Sequence, residues 1–371
     1  MPSPIRVGII GLGAKIGSFV PGVWAVQGHL PYLMSSPDYL ITAVCNSSVS
    51  SAQASIEFHS LGSDVRAHGS PEAIANDPNV DLVVVTVRVG LHYALTKPAL
   101  LAGKDVFVEW PLAANIAEVE ELTQLARDKG VKTIVGLQAR ASPIVVKIRD
   151  LVQSGKLGKI LSSTVVGSFS SFPNTVWLEG AEYYLDAQAG AGVFKIFFGH
   201  FLDSFTHVLG PFRTLSSILK TEYKTTNILS ATGEVVSPNY PKTTPDHVLV
   251  QGTLSSGALA SLIYRTIPDP DSAIDGVGIR WLITGEEGEL ELCTPAGHWQ
   301  TTGDGVVLKA RLGKGKEVEV IELEATGGDG GNTSRQYAAF LKGEREKFPD
   351  FSDAAETHKL LERIVEVAER S

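Results

Sequence analysis

Short runs of apolar, β-branched residues recur through the first third of the chain with helical stretches between them, and this alternation constrains the fold more than any other feature. Ile5 to Ile10, Leu40 to Cys45, Leu82 to Val87, Asp105 to Val108 and Thr133 to Val135 read as strands buried on both faces. Ser51 to Leu61, Pro71 to Ala75, His92 to Ala102 and Ile116 to Lys129 read as helices, the last with Asn115 as N-cap and Glu118 three residues on. Parallel neighbours need a crossover helix, so this order implies an α/β, doubly wound parallel sheet with ligands at the carboxyl ends of its strands.

The first strand runs directly into Gly11-Leu12-Gly13-Ala14-Lys15-Ile16-Gly17, a GxGxxxG variant of the dinucleotide fingerprint. Gly11 permits the tight turn, and Gly13 lets backbone amides approach a pyrophosphate, so Gly11, Gly13, Lys15 and Ile16 are candidate cofactor contacts. The third glycine comes one residue late, with Pro21 and Gly22 soon after, so the first helix is expected to start late or be broken. The second strand ends in Asn46-Ser47-Ser48, where a site for NAD usually carries a carboxylate. Serine hydroxyls can donate to a 2′-phosphate, so NADP(H) is favoured over NAD(H). The alternative is that Asn46, Ser47 and Ser48 only cap a turn or helix.

The 371 residues suggest two domains at about 150 residues each. The net charge is −9 with no Lys/Arg cluster, which argues against direct nucleic-acid binding. No apolar run is long enough to span a membrane and no secretory signal is visible. The two cysteines, Cys45 and Cys293, indicate neither a disulfide framework nor a metal site. The cytoplasm is the expected compartment, with the nucleus open if the chain is regulatory.

Beyond Arg140 a helix, Pro143 to Gln153, leads into longer alternating segments: Ile160 to Ser170, Leu215 to Lys224, His247 to Leu254, Ala258 to Arg265, Gly278 to Thr284, Glu289 to Cys293, Val306 to Ala310 and Glu317 to Leu323. Short turns such as Ser255-Ser256-Gly257 make part of this sheet antiparallel. A helix at Val193 to Leu209 interrupts the strands, and helices near Ser334 to Lys342 and Asp353 to Glu369 close the chain. The expected division is residues 1–140 for a nucleotide-binding Rossmann domain and 141–371 for an α+β domain with a large mixed, mostly antiparallel sheet. The open face of that sheet is the expected surface of a homodimer.

Several motifs then converge. Glu109-Trp110-Pro111, Gln138-Ala139-Arg140 and Gly199-His200-Phe201-Leu202-Asp203 resemble the glucose-fructose oxidoreductase/inositol dehydrogenase (Gfo/Idh/MocA) family. Val85 to Tyr93, Glu182-Tyr183-Tyr184 and Pro245-Asp246-His247 add a resemblance to its Gal80-like fungal branch. The resemblance implies a nicotinamide cofactor over the strand ends, met by Val87, His92, Glu109, Trp110 and Gln138, and a substrate met by Trp110, Arg140, Tyr183 and Phe197. In dehydrogenases of this family the Trp110 position holds a lysine that acts as general acid/base. An indole cannot exchange a proton at neutral pH. The usual aspartate four residues before the helical histidine falls on Ile196.

The candidates left to handle a proton are His200, Lys195, Asp203 and Tyr184. His200 and Asp203 are three apart and share a helix face, whereas Lys195 lies ~140° from His200 at 100° per residue. The Asp246-His247 pair reads as structural, and His298 and Trp299 are assigned no chemistry. Three functions stay open: an NADP(H)-dependent oxidoreductase on a small carbonyl, imine or hydroxyl compound; a cofactor-binding regulator that acts through a protein partner without turnover; and a redox-neutral isomerase or lyase. An aromatic-lined pocket built from Trp110 and the Phe194 to Phe201 stretch would suit a hydrophobic substrate better than a sugar.

Overall fold

The computed structural model describes residues 3–14, 22–168, 174–266, 278–295, 297–301, 303, 305–328 and 330–370. The chain divides into two compact units, one of Met1–Gln138 with Asp329–His358, the other of Ala139–Gly328 with Lys359–Ser371. The linear division at residue 140 thus differs from the packing, because a segment near the C-terminus returns to the first unit.

In the first unit, β1 (Ile5–Ile10), β2 (Tyr39–Cys45), β3 (Arg66–His68), β4 (Leu82–Val85), β5 (Asp105–Val108) and β6 (Thr133–Val135) form one parallel sheet in the order β3-β2-β1-β4-β5-β6. This is the Rossmann order, with the direction of winding reversing between β1 and β4. β4 ends at Val85, two residues earlier than the apolar run suggests. Thr86 turns away there, its N–H and its hydroxyl both donating to Ile10 O at 3.0 Å. β3 is the strand that apolar periodicity misses, being three residues long and built from Arg66, Ala67 and His68.

The crossovers are α1 (Leu30–Ser35), α2 (Val49–Phe58), α3 (Pro71–Ala75), α4 (His92–Leu101) and α5 (Ile116–Lys129). A π-helical turn, Ala25–His29, precedes α1; the stretch 15–21, where the sequence makes the first helix start late or break, lies outside the described residues. Asn115 caps α5 by accepting from the Glu118 amide, and Gly130 ends it in the left-handed region. Val7, Ile9, Val44, Leu82, Val84, Phe107 and Ile134 are buried between the helical layers. The same core takes in Tyr337 and Phe340 of α8 (Gly331–Lys342), which is why the segment 329–358 belongs to this unit.

The second unit opens with α6 (Pro143–Gln153) and carries α7 (Gly199–Leu209), which continues a π-helical turn at Phe194–Phe198. Its main sheet has eight strands: β7 (Ile160–Ser168), β9 (Phe212–Lys220), β12 (His247–Leu254), β13 (Leu259–Arg265), β14 (Ile279–Gly285), β15 (Gly288–Thr294), β16 (Val307–Leu312) and β17 (Glu319–Ile321). The order is β17-β16-β15-β14-β7-β13-β12-β9, and only β7 and β13 pair in parallel. The sheet is therefore mixed and mostly antiparallel, as the sequence suggests. A second, three-stranded sheet of β8 (Val176–Leu178), β10 (Thr225–Leu229) and β11 (Val235–Pro241) has no counterpart in the sequence expectations. Phe201 and Phe205 of α7 pack edge-on and tilted against Trp281 on one face of the large sheet, burying that face. On the other face the register aligns Ile218, Leu249, Ile263 and Val166 in one row across four strands, with Ile218, Ile263 and Val166 exposed.

Candidate functional site

At the switch point of the parallel sheet the backbone approaches itself too closely for side chains. Gly11 has φ +96°, and a Cβ there would lie 2.6 Å from Val87 Cγ1 and 2.8 Å from Thr86 O. A Cβ on Gly22 would lie 2.3 Å from Gly13 N and 2.5 Å from Gly11 O. Glycine at these positions lets the turn after β1 pack against Thr86 and Val87 on one side and against Gly22 on the other. Val87 is thereby placed against the turn. Lys15 and Ile16 lie outside the described residues.

At the end of β2, Asn46 Nδ2 donates to Leu12 O, Ser51 O and Ser55 Oγ at 2.9–3.1 Å, so its amide ties the glycine turn to α2. Ser48 caps α2 in a reciprocal capping box with Ser51. Asn46 and Ser48 thus do the local work weighed as the alternative in the sequence, while Ser47 stands exposed beside them.

The end of β5 is more connected than sequence reasoning allows. Glu109 Oε1 is 2.8 Å from His29 Nε2, and His29 Nδ1 is 2.8 Å from the Tyr337 hydroxyl. With the proton on Nε2, Tyr337 donates to His29 and His29 donates to Glu109, leaving every group in the chain matched. Gly136 makes room for the carboxylate, since a Cβ there would fall 2.4 Å from Glu109 Oε2. His29 and Tyr337 were not among the sequence candidates. His92 is buried as the first residue of α4, with Nδ1 2.7 Å from Pro111 O and Nε2 2.8 Å from Val87 O. Burial pushes its pKa down, and as a neutral imidazole with one N–H its ring donates to one of these two carbonyls at a time. Trp110, 5% exposed, precedes a cis peptide to Pro111 and lies with its ring centroid 4.5 Å from that of His358. Gln138 is buried with its Oε1 unmatched.

In the second unit, Arg140 and Asp203, expected as a substrate group and a catalytic group, hold each other in a buried bidentate pair at 2.9 and 2.7 Å. His200 is buried, its Nδ1 has no partner, and burial lowers its pKa to about 3. It is a neutral imidazole at physiological pH. Lys195 bonds Glu362 of α9 (Phe351–Glu369) at 3.1 Å. The π-helical turn at 194–198 alters the 100° spacing on which its offset from His200 was reckoned.

Tyr184 and Phe197 line a cleft of this unit, with Trp177 and His298. Tyr183 packs on Tyr184 at a centroid distance of 4.8 Å, and Phe197 stacks on His298 at 5.1 Å. Burial raises the Tyr184 phenol well above its usual pKa, so it remains a neutral hydroxyl. His298, assigned no chemistry from sequence, is a wall of this cleft, whereas Trp299 is core and donates to Ser204 Oγ at 2.8 Å. Asp246 is structural as expected: it is fully buried and accepts from the amides of Glu222 and Tyr223, from Lys242, and lies 2.8 Å from His247 Nδ1. Lys242, which also lines the cleft, is another residue outside the sequence candidates. Among the described residues no group of three or more His, Cys, Asp or Glu could hold a metal ion, and no helix is long and apolar enough to cross a membrane.

The bare glycine turn at a Rossmann switch point defines the class, and the chain belongs to the Gfo/Idh/MocA oxidoreductase family. Residues 5–137 match its NAD-binding Rossmann fold, so the first unit contains an NAD(P)-binding domain, and residues 143–294 match the C-terminal domain of Gal80p. Dehydrogenase aclE of Aspergillus oryzae is 30% identical over the whole of this chain and 97% of its own length. The galactose/lactose metabolism regulatory protein GAL80 of Saccharomyces cerevisiae is 28% identical over 69% of this chain, an alignment that spans only 59% of the regulator. The crystal structure of a super-repressor mutant of Gal80p from Saccharomyces cerevisiae superposes with a TM-score of 0.88 at 25% identity, covering 99% of this chain and 96% of that one.

Proposed function

We propose that this protein is an NADP(H)-dependent oxidoreductase that acts on a small-molecule carbonyl, imine or hydroxyl compound and works as a homodimer. The observation that carries the reading is the end-to-end sequence match to a dehydrogenase, whereas the sequence alignment to the GAL80 regulator spans 59% of that protein, although the Gal80p fold superposes over nearly its whole length. The residues fit the group in kind: a turn that only glycine can make closes the carboxyl end of β1, and the unmatched Gln138 Oε1 suits a carboxamide donor. NADP(H) supplies hydride exchange when bound.

Of the protein's own groups, Trp110 excludes water and shapes an apolar wall but moves no proton. His200 is a neutral imidazole with an unmatched Nδ1, so its role is that of a hydrogen-bonding group and not of a resident acid. Tyr184 is a neutral hydroxyl hydrogen-bonded to Tyr183. The preference for NADP(H) rests on the absence of a carboxylate after β2 and on the exposed Ser47 hydroxyl beside the α2 N-terminus. The homodimer rests on the exposed apolar row Ile218, Ile263 and Val166 on the open face of the large sheet.

A second reading, a cofactor-binding regulator that acts through a protein partner, is favoured by the Gal80p C-terminal match together with an indole at position 110. One experiment separates the two. Equilibrium titration with NADPH and NADH comes first, followed by single-turnover loss of NADPH absorbance against a carbonyl panel. Tighter binding of NADPH and oxidation by a panel member support the reductase. Binding without oxidation by any compound overturns it in favour of the regulator, and equal affinities overturn the preference for NADP(H).

A further inference from the structure

The cleft of the second unit contains more hydrogen-bond donors than the protein itself uses. Lys242 is 7% exposed, and its ammonium has two protein acceptors, Asp246 Oδ2 at 3.2 Å and Asn174 Oδ1 at 3.4 Å. An ammonium carries three N–H donors, so one is left over. Asp246 does not depend on Lys242 alone, because two backbone amides also donate to it. Asn174 and Thr226 line the same cleft, each more than nine-tenths buried, and Asn174 Nδ2 and Thr226 Oγ1 have no partner. Buried polar groups are normally matched, so two unmatched ones beside a spare ammonium donor point to a ligand that accepts hydrogen bonds.

The remaining wall sets aromatic rings beside the aliphatic Val176, Leu185 and Val193. Trp177 and Tyr184 lie at a centroid distance of 5.6 Å and Tyr184 and Phe197 at 6.5 Å, with His298 stacked behind Phe197. Ring faces of this kind select flat apolar matter. The three-stranded sheet supplies part of the enclosure, with Val176 and Trp177 on β8 and Thr226 on β10.

We propose that this cleft binds a small aromatic carboxylate, with the carboxylate on Lys242, Asn174 and Thr226 and the ring against Trp177, Tyr184 and Phe197. The inference rests on the oxidoreductase reading only in taking the ligand for the substrate or its product; binding itself needs neither cofactor nor turnover. Burial lowers the Lys242 pKa, which makes an anionic partner the more effective in holding its charge.

The test is a fluorine NMR titration of the full chain with 4-fluorobenzoate in the absence of nucleotide, with cyclohexanecarboxylate and myo-inositol as competitors. The expected result is saturable binding with Kd on the order of 1 mM, displaced weakly by cyclohexanecarboxylate and not by inositol. Lys242→Met should weaken it about tenfold, the effect of losing one hydrogen bond to a charged group. Thr226→Val and Phe197→Ala leave the Lys242–Asp246 pair in place and should each weaken binding about threefold, which keeps the test readable should Lys242→Met fail to fold. No saturable binding, or unchanged affinity in all three variants, overturns the proposal, and displacement by inositol as effective as by the aromatic acid overturns the ligand class. Failure of NADPH oxidation would remove the oxidoreductase reading and leave this titration untouched.

Discussion

Arg140 and Asp203 hold each other, guanidinium to carboxylate, through two hydrogen bonds of 2.9 and 2.7 Å in the interior of the second unit. Asp203 is fully buried, and removing either partner leaves the other charge in a medium that solvates it poorly. Asp203→Ala and Arg140→Ala are therefore each expected to cost about 3–5 kcal/mol in urea unfolding, whereas Arg140→Met combined with Asp203→Leu should recover most of the loss. Unchanged stability in the single variants, with turnover abolished, would return these residues to the catalytic and substrate roles that the sequence suggests.

His200 ties stability to pH. Its pKa is about 3 in the folded protein, against about 6.5 for an unfolded histidine. Above pH 6.5 neither state binds the proton and the contribution is constant. As pH falls below 6.5 the unfolded state takes up a proton that the folded state refuses, so stability declines toward pH 3 by up to about 1.4 kcal/mol per pH unit. Urea unfolding at pH 7, 6 and 5 should show that slope in the wild type and a shallower one in His200→Asn. Equal slopes would mean that the imidazole is not held neutral by burial.

The parts of the fold legible in the sequence are those whose cause is local. Parallel strands buried on both faces read as apolar runs, so β1, β5 and β6 lie where periodicity puts them, and Asn115 marks the start of α5 by its capping chemistry. β3 escaped because it is short and polar, and β11 because it contains two prolines. Site residues divide the same way. Gly11 and Gly13 announce themselves by spacing, but His29 is recognisable only once Glu109, 80 residues away, and Tyr337, 308 residues away, are folded beside it. Lys242 gives no signal either, since most lysines are solvated and only the structure reveals a buried one.

The glycine turn makes a prediction that needs no knowledge of the substrate. A methyl group at Gly11 meets Thr86 O and Val87 Cγ1 at 2.8 and 2.6 Å, and a φ of +96° is strained for any L side chain. Gly11→Ala should lose about 1–3 kcal/mol of stability and bind NADPH at least about tenfold more weakly. Calorimetric titration alongside thermal unfolding checks both, and wild-type affinity would dissociate the turn from the cofactor.

Gly136 tests whether the Glu109–His29–Tyr337 chain matters beyond stability. A Cβ at position 136 would lie 2.4–2.6 Å from the Glu109 carboxylate, so Gly136→Ala must push that group off His29. Tyr337→Phe acts at the other end, removing the hydroxyl from His29 Nδ1 without touching the carboxylate. Each should cost about 1–3 kcal/mol, the cost of a buried polar group left unmatched. The two should part in nucleotide binding. If Glu109 serves the cofactor, Gly136→Ala weakens NADPH by about tenfold or more while Tyr337→Phe weakens it only severalfold, because the carboxylate stays in place. Equal and small effects on affinity, measured by fluorescence titration, would make the chain a purely structural bond between β5 and α8.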